Sequence, residues 1–128
     1  MPRDEVRFGI KIKKSKYTSF CLLLKEIPPR NIQRLSFEFA VGDMLSLPFA
    51  DNSIDCIICN NVISHSDTKG VIKTIAEIKR VLCPGGECFL TLASKETWSF
   101  KETDWPLLDE NTKIRMDDGP EKGVPHFY

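Results

Sequence analysis

Residues 5–13, EVRFGIKIK, alternate: Val6, Phe8, Ile10 and Ile12 fall on one face, Arg7, Lys11 and Lys13 on the other. A period of two predicts a half-buried strand. At residues 16–27 the period changes. Tyr17, Phe20, Cys21, Leu24 and Ile27 recur at three- and four-residue steps, which predicts a helix stopped by Pro28-Pro29. LSFEFAV at 35–41 alternates again and predicts a second strand, closed by Gly42-Asp43. After the loop LPFADNS comes IDCIIC, apolar without clean alternation. Such a run suits a strand covered on both faces, as in a parallel sheet, at about residues 54–59. Ser66-Asp67 supplies a helix N-cap. Val71, Ile75, Ile78 and Leu82 then form an apolar stripe, with Lys69, Lys73, Glu77, Lys79 and Arg80 toward water. Pro84-Gly85-Gly86 ends that helix, and ECFLTLAS at 87–94 reads as the next strand. Strand, helix and strand in this order predict a right-handed βαβ crossover. Residues 95–128 carry three prolines and two glycines, with Trp98, Phe100, Trp105 and the terminal HFY as apolar anchors. This segment is expected to drape over the sheet.

A chain of 128 residues, 41% apolar, holds one domain with one modest core. It has no apolar run of about 18 residues, so no membrane span is expected, and no signal-peptide core. We read it as cytoplasmic. The net charge of zero hides a split. Residues 1–35 carry nine Lys/Arg against three Asp/Glu, and residues 36–128 carry nine against fifteen. A basic N-terminus suggests a nucleic-acid arm, but here the basic residues alternate with apolar ones. We read the segment as structural, docked on the acidic remainder. Five cysteines, Cys21, Cys56, Cys59, Cys83 and Cys88, suit free thiols in a reducing compartment. Cys56-x-x-Cys59 lies inside a predicted strand, where residues three apart point to opposite faces. A redox pair belongs at a helix N-terminus, and no second Cys/His pair has ligand spacing. Buried core cysteines and no metal site are expected.

In a parallel α/β sheet, ligands bind outside the carboxyl ends of the strands. Two such ends carry polar groups here, Gly42-Asp43-Met44 and Asn60-Asn61. If their strands share a direction, both open on the same side. The plainer alternative is a turn cap at Asp43 and a loop start at Asn60.

VGDMLSLPFADNSIDCIICNNVISH, followed by a helix and IKRVLCPGGECFLTL, resembles the second half of a class I S-adenosylmethionine-dependent methyltransferase domain of the type 11 kind, over about residues 36–95. The resemblance implies an α/β fold with a partial Rossmann-like, mostly parallel sheet flanked by helices. It also implies S-adenosylmethionine as cofactor. Asp43 would accept from the adenine amine, the Met44 backbone would touch the adenine ring, and Asn60 would lie near the methionine moiety. His65 would face the substrate side, as the one weak candidate for a catalytic base. Two family features are missing: the G-x-G-x-G loop after the first strand and the acid that binds the ribose after the second. The chain has no G-x-G, and Lys13-Lys14-Ser15-Lys16 follows the N-terminal strand. The family's last strands are missing as well. The expectation is therefore a single truncated domain: a basic strand and helix (1–35), a family-like core (36–95) and an acidic tail (96–128). Its cofactor site would be incomplete, and S-adenosylmethionine binding weak or absent for the chain alone. The gap left between the strands at 36–41 and 54–59 would be filled by the N-terminal segment, or by a homodimer or partner chain. The methyl acceptor is not legible. The alternative reading is a non-catalytic methyltransferase remnant serving as a binding or assembly module. A nicotinamide-binding Rossmann protein is disfavoured by the absent glycine loop.

Overall fold

The computed structural model describes residues 6–14, 17–24 and 36–128, with side chains from residue 42 onward. Three strands open the chain: β1 (Val6–Lys14), β2 (Tyr17–Leu24) and β3 (Ser36–Gly42). Then follow β4 (Ile54–Asn60), α1 (Thr68–Val81) and β5 (Leu82–Thr91). A short helix α2 (Trp98–Lys101) leads to β6 (Leu107–Asp109), β7 (Thr112–Ile114) and β8 (Pro125–Phe127). The first five strands form one sheet in the order β3-β1-β2-β4-β5, and the last three form another, β6-β7-β8.

Within the large sheet β1 is parallel to β3 and β4 is parallel to β5, while β2 is antiparallel to both β1 and β4. Four of the five strands thus point the same way. The α/β, Rossmann-like architecture expected from the sequence is present, with one reversed strand inside it.

The helix expected at 16–27 is corrected: residues 17–24 are β2, and residues 25–27 and the Pro28-Pro29 stop lie outside the described residues. The helical period rested on few residues, and Tyr, Thr and Phe are strand formers. The deciding term is long-range. Residues of β2 pair with β1 along its length and with Cys56, Ile57 and Ile58 of β4. A helix here would leave the facing edges of β1 and β4 without partners. The expected strands 5–13 and 35–41 are present as β1 and β3, while the faces of their side chains lie outside what is described. The N-terminal hairpin fills the interval between β3 and β4.

The core lies between β4, α1 and the 44–47 turn. Ile54, Ile57, Cys59, Val62, Ile63, Val71, Ile78 and Val81 pack with Met44 and Leu47. The buried stripe of α1 is Gly70, Val71, Thr74, Ile78 and Val81. Ile75, assigned inward by the periodicity, is 45% exposed. Leu82, assigned to the same stripe, caps the helix by donating its N–H to Ile78 O and starts β5 opposite Ile54. Pro84-Gly85-Gly86 is therefore not a free turn but part of β5. There Gly85 takes φ +78°, and a β-carbon on Gly86 would come within 3.0 Å of Cys83 O, Leu82 Cγ and Asp55 O. Of the four cysteines whose side chains are described, Cys59 is buried, Cys56 and Cys83 are half-buried, and Cys88 is exposed, so among these the core assignment holds for Cys59; the Cys21 side chain lies outside what is described.

The C-terminal segment packs Phe127 against the core beside β4 and α1. It forms β6-β7-β8, docked on the start of α1. Asp109 accepts from the Thr68 N–H (3.1 Å) and hydroxyl (2.8 Å), and Phe127 N–H donates to Ser64 O (2.8 Å). Lys113 is buried because its ammonium donates to Phe100 O (2.5 Å) and Thr103 O (2.7 Å) and lies over the Phe100 ring.

Candidate functional site

Because β3 and β4 run in the same direction, Gly42-Asp43 and Asn60-Asn61 emerge on the same side of the sheet. Two strands separate them, which at ordinary spacing is about 14 Å. Asp43 begins a tight turn. Its Oδ1 accepts from Leu45 N–H (2.9 Å), and its carbonyl accepts from Ser46 N–H (3.1 Å). The carboxylate remains exposed. Met44 turns its side chain into the core, 3% exposed, which anchors the turn. The plainer reading of Asp43 as a turn cap is thus correct and leaves an accessible acceptor.

At the other end, Thr91 of β5 donates its hydroxyl to Asn60 Oδ1 (2.6 Å) and accepts from Asn61 N–H (2.8 Å). Asn61 takes φ +53°, the left-handed region Asn tolerates, and this reverses the chain out of β4. Asn60, the last residue of β4, is exposed. Thr91 was not singled out by the sequence; pairing of β4 with β5 brings it there. Beside the Asp43 turn, a groove of about 380 Å³ runs between Leu45 and the first turns of α1, lined also by Lys69, Lys73 and Pro125.

His65 does not stand alone in a loop. It is 6% exposed. Its Nδ1 lies 3.2 Å from Val62 O and its Nε2 lies 3.3 Å from Glu121 Oε1. His126 of β8 stacks edge-on against it, ring centroids 4.8 Å apart, and places Nε2 3.2 Å from Glu121 Oε2. Arg115 pairs with the same Glu121 carboxylate and holds Asp117 through two further bonds. Burial, reinforced by His65, pushes the His126 imidazole below its ordinary value. Glu121 and His126 were missed from the sequence, since more than fifty residues separate them from His65.

Cys56, Cys83 and Cys88 show no sign of activation. Burial raises the Cys56, Cys83 and Cys88 thiols, helped by the nearby charges of Glu87, Asp55 and the other cysteines respectively. A raised thiol is a poor nucleophile.

The LPF segment and the Arg80 of R-V-L-x-P-G-G have a structural task. Glu77 Oε2 accepts from Leu47 N–H (2.8 Å), and Arg80 donates to Leu47 O (3.0 Å), Phe49 O (2.8 Å) and Asp51 (2.8 Å). A helix face expected toward water therefore clamps the loop between β3 and β4, which fixes the Asp43 turn relative to α1.

A parallel-rich α/β sheet with a βαβ crossover and polar strand ends on one side defines a Rossmann-like protein. A sequence family described as "Methyltransferase domain" matches residues 21–90, and the chain belongs to that family. A probable tRNA methyltransferase 9B of mouse is 43% identical over 60 residues, covering 46% of this chain and 13% of the mouse protein. The bifunctional biotin biosynthesis protein BioHC of Teredinibacter turnerae is 34% identical over 70 residues, or 55% of this chain and 12% of that protein. The chain thus matches only a small part of these relatives. Among solved structures, a SAM-dependent methyltransferase of Methanosarcina mazei superposes with a TM-score of 0.58 at 25% identity, over 79% of this chain and 52% of that one. A Pyrococcus horikoshii protein gives 0.50 at 28%, over 64% and 41%. No helix among the described residues is long and apolar enough to cross a membrane.

The residues fit part of an S-adenosylmethionine site. An exposed carboxylate stands at the β3 end and an exposed amide at the β4 end. Between those ends the sheet has β1 and the reversed β2, joined across Lys14 and Tyr17. Because β2 is reversed, its amino end lies on the side where β3 and β4 end.

Proposed function

We propose that this chain is a methyltransferase-like domain whose S-adenosylmethionine site is incomplete, so that alone it binds the cofactor weakly or not at all. The observation that carries this reading is the reversed β2. It occupies the sheet position where a glycine-rich loop would have followed a forward strand, and the sequence has no G-x-G to supply one elsewhere. Backbone N–H groups in such a loop are what let a ligand's polar groups be met at close range. When bound, the cofactor supplies an activated methyl group on sulfur. In this reading Asp43 would orient the adenine by accepting from its amine, the Met44 backbone would lie along the ring, and Asn60 would donate toward the methionine end. His65 is committed to Glu121 and Val62, and we assign it no proton-transfer role. The acceptor is left open. We read the N-terminal basic segment as part of the sheet rather than a nucleic-acid arm, since β1 has a partner strand on each edge.

A second reading, a non-catalytic assembly module, is favoured by β5. It lies at the end of the sheet order, and Phe89 within it and Leu92 just after it are 59% and 44% exposed. A homodimer or a partner chain would cover that edge.

Calorimetric titration with S-adenosylmethionine and S-adenosylhomocysteine tests the proposal. The expected result is no saturation at micromolar ligand. A dissociation constant in the low micromolar range or tighter overturns it. Where residual binding is measurable, Asp43→Ala should weaken it about ten-fold or more, the scale of one hydrogen bond to a charged group. Unchanged affinity would remove Asp43 from the site.

A further inference from the structure

His65, Glu121 and His126 come from two distant segments. His65 sits in the loop after β4, Glu121 in the turn before β8, and His126 in β8. One ligand atom from each lies within 4.8 Å of the others. The two nitrogen–oxygen separations are 3.3 and 3.2 Å. The two contacts go to different oxygens of Glu121, Oε1 and Oε2. Ligands at zinc bond lengths of about 2.0–2.1 Å in a tetrahedron lie roughly 3.3–3.4 Å apart, so a shared ion would draw the three ligand atoms slightly inward from the 4.8 Å within which they lie.

The proton inventory points the same way. Val62 O can only accept, so His65 Nδ1 carries the hydrogen in that contact. In a neutral imidazole this leaves a lone pair on Nε2, aimed at a carboxylate oxygen that is also an acceptor. Two acceptors then face each other unless Nε2 also carries a proton or a metal cation lies between them. An Nδ1–H held by a backbone carbonyl is also the arrangement that fixes the tautomer of a metal-binding histidine. His126 faces the same carboxylate from the other side. Its Nε2 is buried, lies 3.2 Å from Glu121 Oε2, and has no aligned hydrogen-bond partner. Arg115 balances part of the Glu121 charge, yet it keeps Asp117 as a two-bond partner if Glu121 turns to an ion.

We propose that His65, Glu121 and His126 form a two-histidine, one-carboxylate site for a zinc-class divalent ion, with the fourth position open to water. The ion would tie β8 to the loop after β4, reinforcing the Phe127 N–H to Ser64 O bond. The proposal does not depend on methyl transfer. Borderline ions suit imidazole and carboxylate together, whereas magnesium and calcium prefer all-oxygen sites.

The test uses the full chain, stripped with a chelator and titrated with zinc by calorimetry and with cobalt(II) by absorption. One ion should bind, with a dissociation constant in the micromolar range or tighter. Cobalt should show tetrahedral visible bands without a thiolate charge-transfer band. Zinc should raise the melting temperature. Both His126→Asn and Glu121→Gln should weaken binding ten-fold or more and abolish the thermal shift. Glu121→Gln keeps the side-chain shape, so it serves if the histidine variant does not fold. Absence of saturable binding overturns the proposal. So does binding that both variants retain, or a cobalt–thiolate band, which would place the ion on cysteines.

Discussion

Arg80 illustrates how much one side chain can organise. Its guanidinium holds two carbonyls of the 47–49 loop, pairs with Asp51, and braces Glu77, which accepts from Leu47 N–H. Planar, fixed donors suit this task and a lysine would not reproduce it. Arg80→Lys should therefore lower the melting temperature by several degrees, and Arg80→Ala by more, as read by calorimetry. Gly86 is constrained differently. Two backbone carbonyls and the Leu82 side chain close in on the space a β-carbon needs. Gly86→Ala should destabilise by about 1–3 kcal/mol through overpacking, measured by urea unfolding. Gly85, with positive φ but open space around it, would suffer from conformation rather than from crowding.

Among the elements, α1 shows the strongest local design. Asp67 caps it by accepting from Gly70 N–H (2.8 Å), and Asp109 of β6 adds a second carboxylate at the same end. Negative charge is favoured there by the helix dipole, as Lys79 and Arg80 are at the other end. Burial alone would raise the Asp109 carboxyl, but hydrogen bonds from the Thr68 and Asn111 N–H groups and the Thr68 hydroxyl prevail and hold it at about 2. A carboxyl depressed in the folded state contributes stability above its unfolded value, and that contribution is lost as pH falls through the folded one. Asp109 should thus contribute fully above about pH 4 and lose its contribution between there and about pH 2. Asp109→Asn should be less stable at neutral pH and should show a shallower loss over that acid range, by chemical denaturation at stepped pH.

For the molecule as a whole, the N-terminal hairpin is the keystone of the large sheet. It links β3 to β4 and β5 across the sheet. Deleting residues 1–14 removes β1 and exposes an edge on both β3 and β2. A marked fall in melting temperature or a shift to larger species in sedimentation is expected. If neither changes while a salt-sensitive affinity for nucleic acid disappears, the basic segment is an arm after all.

Local pattern was enough for β1, β3, β4 and α1, because each rests on period, run length or a cap within a few residues. Asp67 was readable as a cap, and the methyltransferase relationship was readable because several short motifs fall in order. The sequence also located Asp43 and Asn60 at strand ends. It did not decide whether those ends open together; the shared direction of β3 and β4 did. Residues 17–24 carry a helical period, yet partners more than thirty residues away in β4 make them a strand, since paired edges outweigh a weak local preference. Ile75 and Arg80 show the same limit on α1: neighbours set by packing, not spacing, decide which side is buried. The His65–Glu121–His126 cluster is purely tertiary. Nothing in the spacing of those three residues suggests a meeting, and only the docking of β8 against the loop after β4 brings two imidazoles and a carboxylate within reach of one ion.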